Sequence, residues 1–245
     1  MADISKMTKE EIAKYLDYSF VLDPADTEEI YKGYLEEVKR YKFGAICLLP
    51  YRIPLVVQEI GDFCKENDIK IGGPVGFPYG QNSTSVKMFE AKELIQMGAT
   101  QLDMATNVAA LKEKKYDYYK NELTELAKIG KDNHVVTKAI IQVGHLTDEE
   151  IKIATRLVAE SGIDQVKTAT GLLTPYRPNY NDMLLMKSVL DEMGPECKCR
   201  MKSTTSTLPE VYTFIQMGCE SIGTGAGPEI VEKLGKYQEL YFGNK

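Results

Sequence analysis

Short apolar runs alternate with longer stretches in which apolar residues recur every three or four positions, and this alternation continues along the whole chain. The short runs predict strands at 16–21, 44–49, 70–75, 101–105, 135–142, 165–167, 200–202 and 221–223. The helical spacing, as in Ile151, Ala154, Leu157 and Val158, predicts helices over about 26–41, 55–67, 85–98, 116–131, 148–161, 182–193, 209–217 and 228–240. A further short helix is expected near the N-terminus.

The punctuation supports these limits. Thr147-Asp148-Glu149-Glu150 has the form of a capped helix start, a hydroxyl followed three residues later by a glutamate. Gly98, Gly162 and Gly218 sit in the related segments IQMGATQLD, AESGIDQVK and IQMGCESIG. Each reads as a helix end, a glycine that can take the left-handed conformation, then a strand. Eight strand-helix units in 245 residues predict an α/β fold, a single (β/α)8 barrel spanning residues 1–245. A doubly wound dinucleotide-binding sheet would place GxGxxG after its first strand, and LDYSFVLDP contains no glycine.

Composition narrows the function classes. The formal charge of −6 offers no basic surplus to neutralise a nucleic-acid backbone. No apolar stretch approaches the ~20 residues of a membrane-spanning helix, and the N-terminal segment lacks the apolar core of a secretory signal. The five cysteines, Cys47, Cys64, Cys197, Cys199 and Cys219, are too few and too scattered for a disulfide framework. A reducing, cytoplasmic setting is expected. His134 and His145 belong to no ligand-spaced cluster, so no metal is expected.

Barrel active sites form at the C-terminal ends of the strands, which directs attention to Asp17, Cys47, Asp103, Lys138, Lys167 and Lys202. A lysine on a strand is costly unless paired. Two close lysines disfavour each other's cationic form, and a neutral amine is the nucleophile that Schiff-base chemistry needs. A nearby carboxylate such as Asp103 can carry the protons. Position alone leaves each lysine open between this role and that of a snorkelling surface residue, and Asp103 open between proton carrier, helix cap and ion-pair partner.

Six segments in register carry a family resemblance. VKTATG at 166–171 resembles the Schiff-base lysine segment VKTSTG of deoxyribose-phosphate aldolases. LDMATNVAALK at 102–112 resembles IDMVINIGALK, and the stretch 72–99 resembles that family's GFPxG segment and following helix. AICLLPYRIPLV at 45–56, LDYSFVLDPADTEEI at 16–30 and IIQVGHLTDEEI at 140–151 are similar to VCVNPxxVxLA, LDHTLLKPDATxEDI and IIETCLLTDEEI. The resemblance implies a cofactor-free class I aldolase: Lys167 the Schiff-base lysine, Lys202 the lysine that lowers its pKa, Asp103 the proton shuttle. Asp17, Cys47, Lys138, Thr168, Gly171, Ser203, Thr204, Gly223, Thr224 and Gly225 are the expected substrate-binding set. The expected reaction is reversible cleavage of 2-deoxyribose 5-phosphate into glyceraldehyde 3-phosphate and acetaldehyde. A homo-oligomer, dimer or tetramer, is expected, with no nucleic-acid or membrane partner.

Two departures leave alternatives open. The family's KASGGVRT, with paired glycines and a basic residue at the phosphate end, is replaced by Lys202-Ser203-Thr204-Thr205-Ser206-Thr207. The family's GTSSG becomes Gly223-Thr224-Gly225-Ala226-Gly227, which keeps backbone amides for an anion and loses most hydroxyls. GLLTPYRPNYND follows Lys167 and brings Arg177, a cation that either compensates at the phosphate end or belongs to a surface loop. An aldolase for an unphosphorylated or different acceptor is therefore one alternative reading, and a non-catalytic sugar-binding barrel another.

Overall fold

A computed structural model describes residue 3 and residues 5–21, 23–173 and 175–243. Eight strands lie in chain order around a closed barrel: β1 (Leu16–Phe20), β2 (Ala45–Leu48), β3 (Lys70–Val75), β4 (Gln101–Ala105), β5 (Val136–Ile140), β6 (Gln165–Lys167), β7 (Arg200–Thr204) and β8 (Cys219–Thr224). All neighbours are parallel, and β8 returns to β1 through Leu16↔Ile222 and Asp17↔Gly223. The chain is thus an eight-stranded (β/α) barrel, as its periodicity predicts.

Outside the barrel lie the helices α1 (Lys9–Lys14), α2 (Glu28–Tyr41), α3 (Ile53–Glu66), α4 (Thr84–Gln96), α5 (Val108–Lys112), α6 (Tyr116–Asn133), α7 (Asp148–Glu160), α8 (Tyr180–Glu192), α9 (Leu208–Gln216) and α10 (Gly227–Phe242). The capped start read at Thr147 is present: its side chain accepts from the Glu150 amide, and Glu150 reaches back to the Thr147 amide. Gly98, Gly162 and Gly218 take φ of +107°, +82° and +94°, so each reverses the chain between a helix and the next strand.

Differences from the expected limits have local causes. The fifth strand stops at Ile140, short of 142, because Gln142 takes a left-handed conformation that turns the chain. The seventh continues to Thr204, because its serine and threonine residues suit an extended, paired backbone better than the expected loop. A short helix with no counterpart among the expected ones, α5, is capped by the Asn107 side chain, which accepts from the Ala110 amide.

Alternation along the strands sorts the interior. On β4, Leu102 and Met104 belong to the apolar layer under the helices, whereas Gln101 and Asp103 join the polar interior. That apolar layer contains Leu94, Leu123, Val158, Met186 and Ile215 among its fully or nearly fully buried side chains. Burial of each such side chain is worth roughly 1.5–3 kcal/mol. One ion pair lies inside this layer. Lys87 of α4 donates to Glu122 of α6 at 2.9 Å and to the Ala105 carbonyl at 3.0 Å, and both side chains are inaccessible. It ties two helices to the end of β4.

Candidate active site

Strand register assembles the polar interior. The parallel pairings set Asp103 beside Lys138, Lys167 beside Lys202, and Lys202 beside Ser221. Register partners share a face, so residues far apart in sequence point to one centre. Lys167 Nζ lies 2.9 Å from Asp103 Oδ2, and Lys202 Nζ lies 3.0 Å from the same oxygen. Lys202 also donates to Asp17 Oδ2. Lys138 reaches that Asp17 oxygen at 2.8 Å and Ser221 Oγ at 3.3 Å. Gln101 donates to Asp103 at 2.9 Å and to Asp17 at 3.3 Å, bridging the two carboxylates.

Burial and charge act against each other in this cluster. Burial alone would raise the carboxyl of Asp17, but Lys138 and Lys202 outweigh it and hold it well below the ordinary range. Asp103 is likewise held low, burial being overcome by Lys167, Lys202 and Lys138. Burial disfavours the Lys202 ammonium, yet the two carboxylates reverse that and hold its proton well above the usual lysine value. Lys138 contacts one carboxylate, Asp17, and ends below its usual value, burial prevailing with help from Lys202. Burial also raises the thiol of Cys47.

A cavity of about 140 Å³, partly open to solvent, lies over this cluster at the C-terminal ends of the strands. Lys167, Asp103 and Cys47 line it near the barrel axis; Thr204, Thr205, Ser206, Gly223, Thr224 and Gly225 form its far wall. Gly72 lines the side of Cys47 and Asp103, and a Cβ there would stand 3.0 Å from the Ile46 carbonyl oxygen, 3.1 Å from Cys47 Sγ and 3.2 Å from Gln101 Nε2.

The family model described as DeoC/LacD family aldolase matches residues 12–221. The chain belongs to the DeoC/LacD family of aldolases. Its relatives include the deoxyribose-phosphate aldolase of Thermococcus kodakarensis, 38% identical over 92% of this aldolase and 98% of that protein. The deoxyribose-phosphate aldolase of Caldicellulosiruptor saccharolyticus is 33% identical over 93% and 100% of the respective chains. Among solved structures, the aldolase QR15 superposes with a TM-score of 0.82 at 30% identity, covering 94% of this aldolase and 99% of its own chain.

Of the residues expected from sequence, Lys167, Asp103, Cys47, Gly171, Thr204, Gly223, Thr224 and Gly225 line the aldolase cavity. Asp17, Lys138 and Lys202 lie beneath it, in contact with one another. Thr168 and Ser203 are buried but are not part of the wall. Each follows an inward lysine, and alternation turns it to the other face of the sheet. Arg177 is exposed and stands outside the wall. Thr170, Thr205 and Ser206, which stand in the segments compared with the family but outside the expected binding set, also line the cavity, and Gln101 beneath it was not expected. Gln101 carried a signal, since it stands two residues before Asp103 and shares its face.

Proposed function

We propose that this aldolase reversibly cleaves 2-deoxyribose 5-phosphate to glyceraldehyde 3-phosphate and acetaldehyde through a Schiff base on Lys167. The observation that carries the reading is an amine in the cavity wall, 2.9 Å from a buried carboxylate that a second lysine also contacts. Three lysines face two carboxylates in this cluster, and Lys167 is the lysine among them that lines the cavity. The names of the relatives point to the same substrate.

The chemistry follows from these positions. The Lys167 amine attacks the aldehyde carbon of the open-chain sugar, and its proton passes to the oxygen through Asp103. Water leaves and an iminium forms. The substrate hydroxyl on the third carbon gives up its proton, the bond between the second and third carbons breaks, and its electron pair enters the iminium to form an enamine. Glyceraldehyde 3-phosphate departs, the enamine is protonated on carbon, and water releases acetaldehyde and the free amine. The fixed ammonium of Lys202 stabilises the ionised carboxylate beside each step.

A second reading, an unphosphorylated acceptor, draws on the far wall. Among the residues that line the cavity, Lys167 is the only lysine or arginine. A phosphate at that end would be held by hydroxyls and backbone amides alone. A homo-oligomer is also part of the proposal: Tyr79, in the loop before α4, and Val86 and Phe89, in its first two turns, expose 67%, 50% and 67% of their surface. The free state of all five cysteines fits a reducing compartment.

Borohydride reduction with acetaldehyde tests the nucleophile. The expected product is an ethyl group on Lys167, located by peptide mapping, with none on Lys167→Met. An adduct on another lysine, or none with any aldehyde or ketone, would sink the Schiff-base assignment.

A further inference from the structure

Gln142 is an irregularity that the chemistry above leaves unused. It is 3% exposed and holds φ of 60°, a conformation rarely taken by residues other than glycine. Strain of that kind persists where the surroundings fix it, and it concentrates at functional sites. The side chain spans two loops at the cavity mouth. Its Nε2 donates to the Pro78 carbonyl at 3.2 Å, beside the wall residue Phe77, and to Thr170 Oγ1 at 3.1 Å. Its Oε1 accepts from the Thr170 amide at 3.1 Å.

The orientation of this amide is fixed by its partners. The Pro78 carbonyl can only accept and the Thr170 amide can only donate, so a flipped amide would face both with the wrong group. Thr170 Oγ1 therefore receives a hydrogen from Gln142, and it receives a second from the Leu172 amide at 3.3 Å. With two donors on its oxygen, its own hydrogen is left to point elsewhere. Among the described residues its acceptor is Gln142 Oε1 at 3.5 Å, the limit of a hydrogen bond and a weak hold on that hydrogen. Thr170 lines the cavity three residues beyond Lys167.

We infer that Gln142 is a positioning residue for substrate recognition: it presents the Thr170 hydroxyl as a donor toward a hydroxyl oxygen of the sugar bound at Lys167. This rests on the Schiff-base reading above. A glutamate in place of Gln142 has no hydrogen to give, so it would draw the Thr170 hydrogen to itself and leave the Pro78 carbonyl without its donor.

The test uses Gln142→Glu, Thr170→Val and the double variant. Each single change is expected to lower kcat/KM for 2-deoxyribose 5-phosphate by about 10- to 100-fold, the usual cost of one lost substrate hydrogen bond. The double variant is expected to be no worse than the poorer single one, because both changes remove the same donor. Acetaldehyde has no hydroxyl, so borohydride trapping of acetaldehyde should fall far less than kcat/KM in all three. Multiplicative losses in the double variant, or unchanged kcat/KM in either single one, would overturn the inference. So would trapping lost in Gln142→Glu and Thr170→Val while the parent still traps, since the change would then be general damage. Failure of the parent itself to trap overturns the Schiff-base reading instead.

Discussion

Asp17→Asn isolates the electrostatics of the barrel interior. Asp17 is 2% exposed and accepts from Lys138, Lys202 and Gln101. An amide in its place leaves Lys138 with the neutral Ser221 oxygen at 3.3 Å, and leaves Lys202 dependent on Asp103 at 3.0 Å. Breaking a buried pair by removing one partner costs roughly 3–5 kcal/mol. An unfolding entropy of roughly 2.1 cal/mol/K per residue gives about 0.5 kcal/mol/K for 245 residues, so Tm should fall by about 6–10 °C. Differential scanning calorimetry at neutral pH measures this. The control is Glu149→Gln, which breaks an exposed pair with Lys152 and should leave Tm unchanged. The acid response gives a second signature. Asp17 and Asp103 are held below their ordinary value, so their contribution to stability is complete above the unfolded value of ~3.9 and is lost as pH falls through their folded values. The variant should therefore lose stability less steeply in acid than the parent. A Tm change below about 2 °C, with an unaltered acid response, would refute the account, because it would place the cost of one uncompensated buried lysine under about 1 kcal/mol.

Two further outcomes follow from the same geometry. Lys202→Met should keep the barrel and lower kcat by about 10²–10⁴-fold, because Asp103 loses an ammonium that helps to hold it ionised; an unchanged rate would show that the second lysine has no part in the chemistry. Arg177 is exposed and outside the cavity wall, so Arg177→Ala should leave the kcat/KM ratio of 2-deoxyribose 5-phosphate to 2-deoxyribose unchanged. That ratio should itself stay below about 10⁴, given a far wall of hydroxyls and amides; a tenfold fall in the variant would show that the loop does reach the phosphate.

The barrel was legible because its two periodicities differ and its punctuation repeats. Three glycines at equivalent helix ends marked the unit length, and all three carry the positive φ that the pattern required. The lysines were legible because a charge on an otherwise apolar strand needs a partner. Their partners were less so, since Asp17 and Lys202 are 185 residues apart in sequence. Only register connects them, and the resemblance supplied what register would have. Parity was readable and underused: counting inward from Lys202 reaches Thr204 and passes over Ser203. Gln142 was not legible, because no local pattern announces a left-handed glutamine whose role depends on two other loops.

The acids and bases of the interior are segregated along the chain. The first four strands contribute Asp17 and Asp103; the last four contribute Lys138, Lys167 and Lys202. A half-barrel made of residues up to β4 therefore carries two unneutralised carboxylates on the surface it must bury, and its complement carries only ammonium groups there. Each half repels itself and attracts the other. The ion-pair partners of the two carboxylates lie in the second half, so closure of the ring and neutralisation of its centre coincide. Cut in the loop after β4, the chain should behave as two fragments that stay open apart and assemble when mixed, with high salt slowing their union.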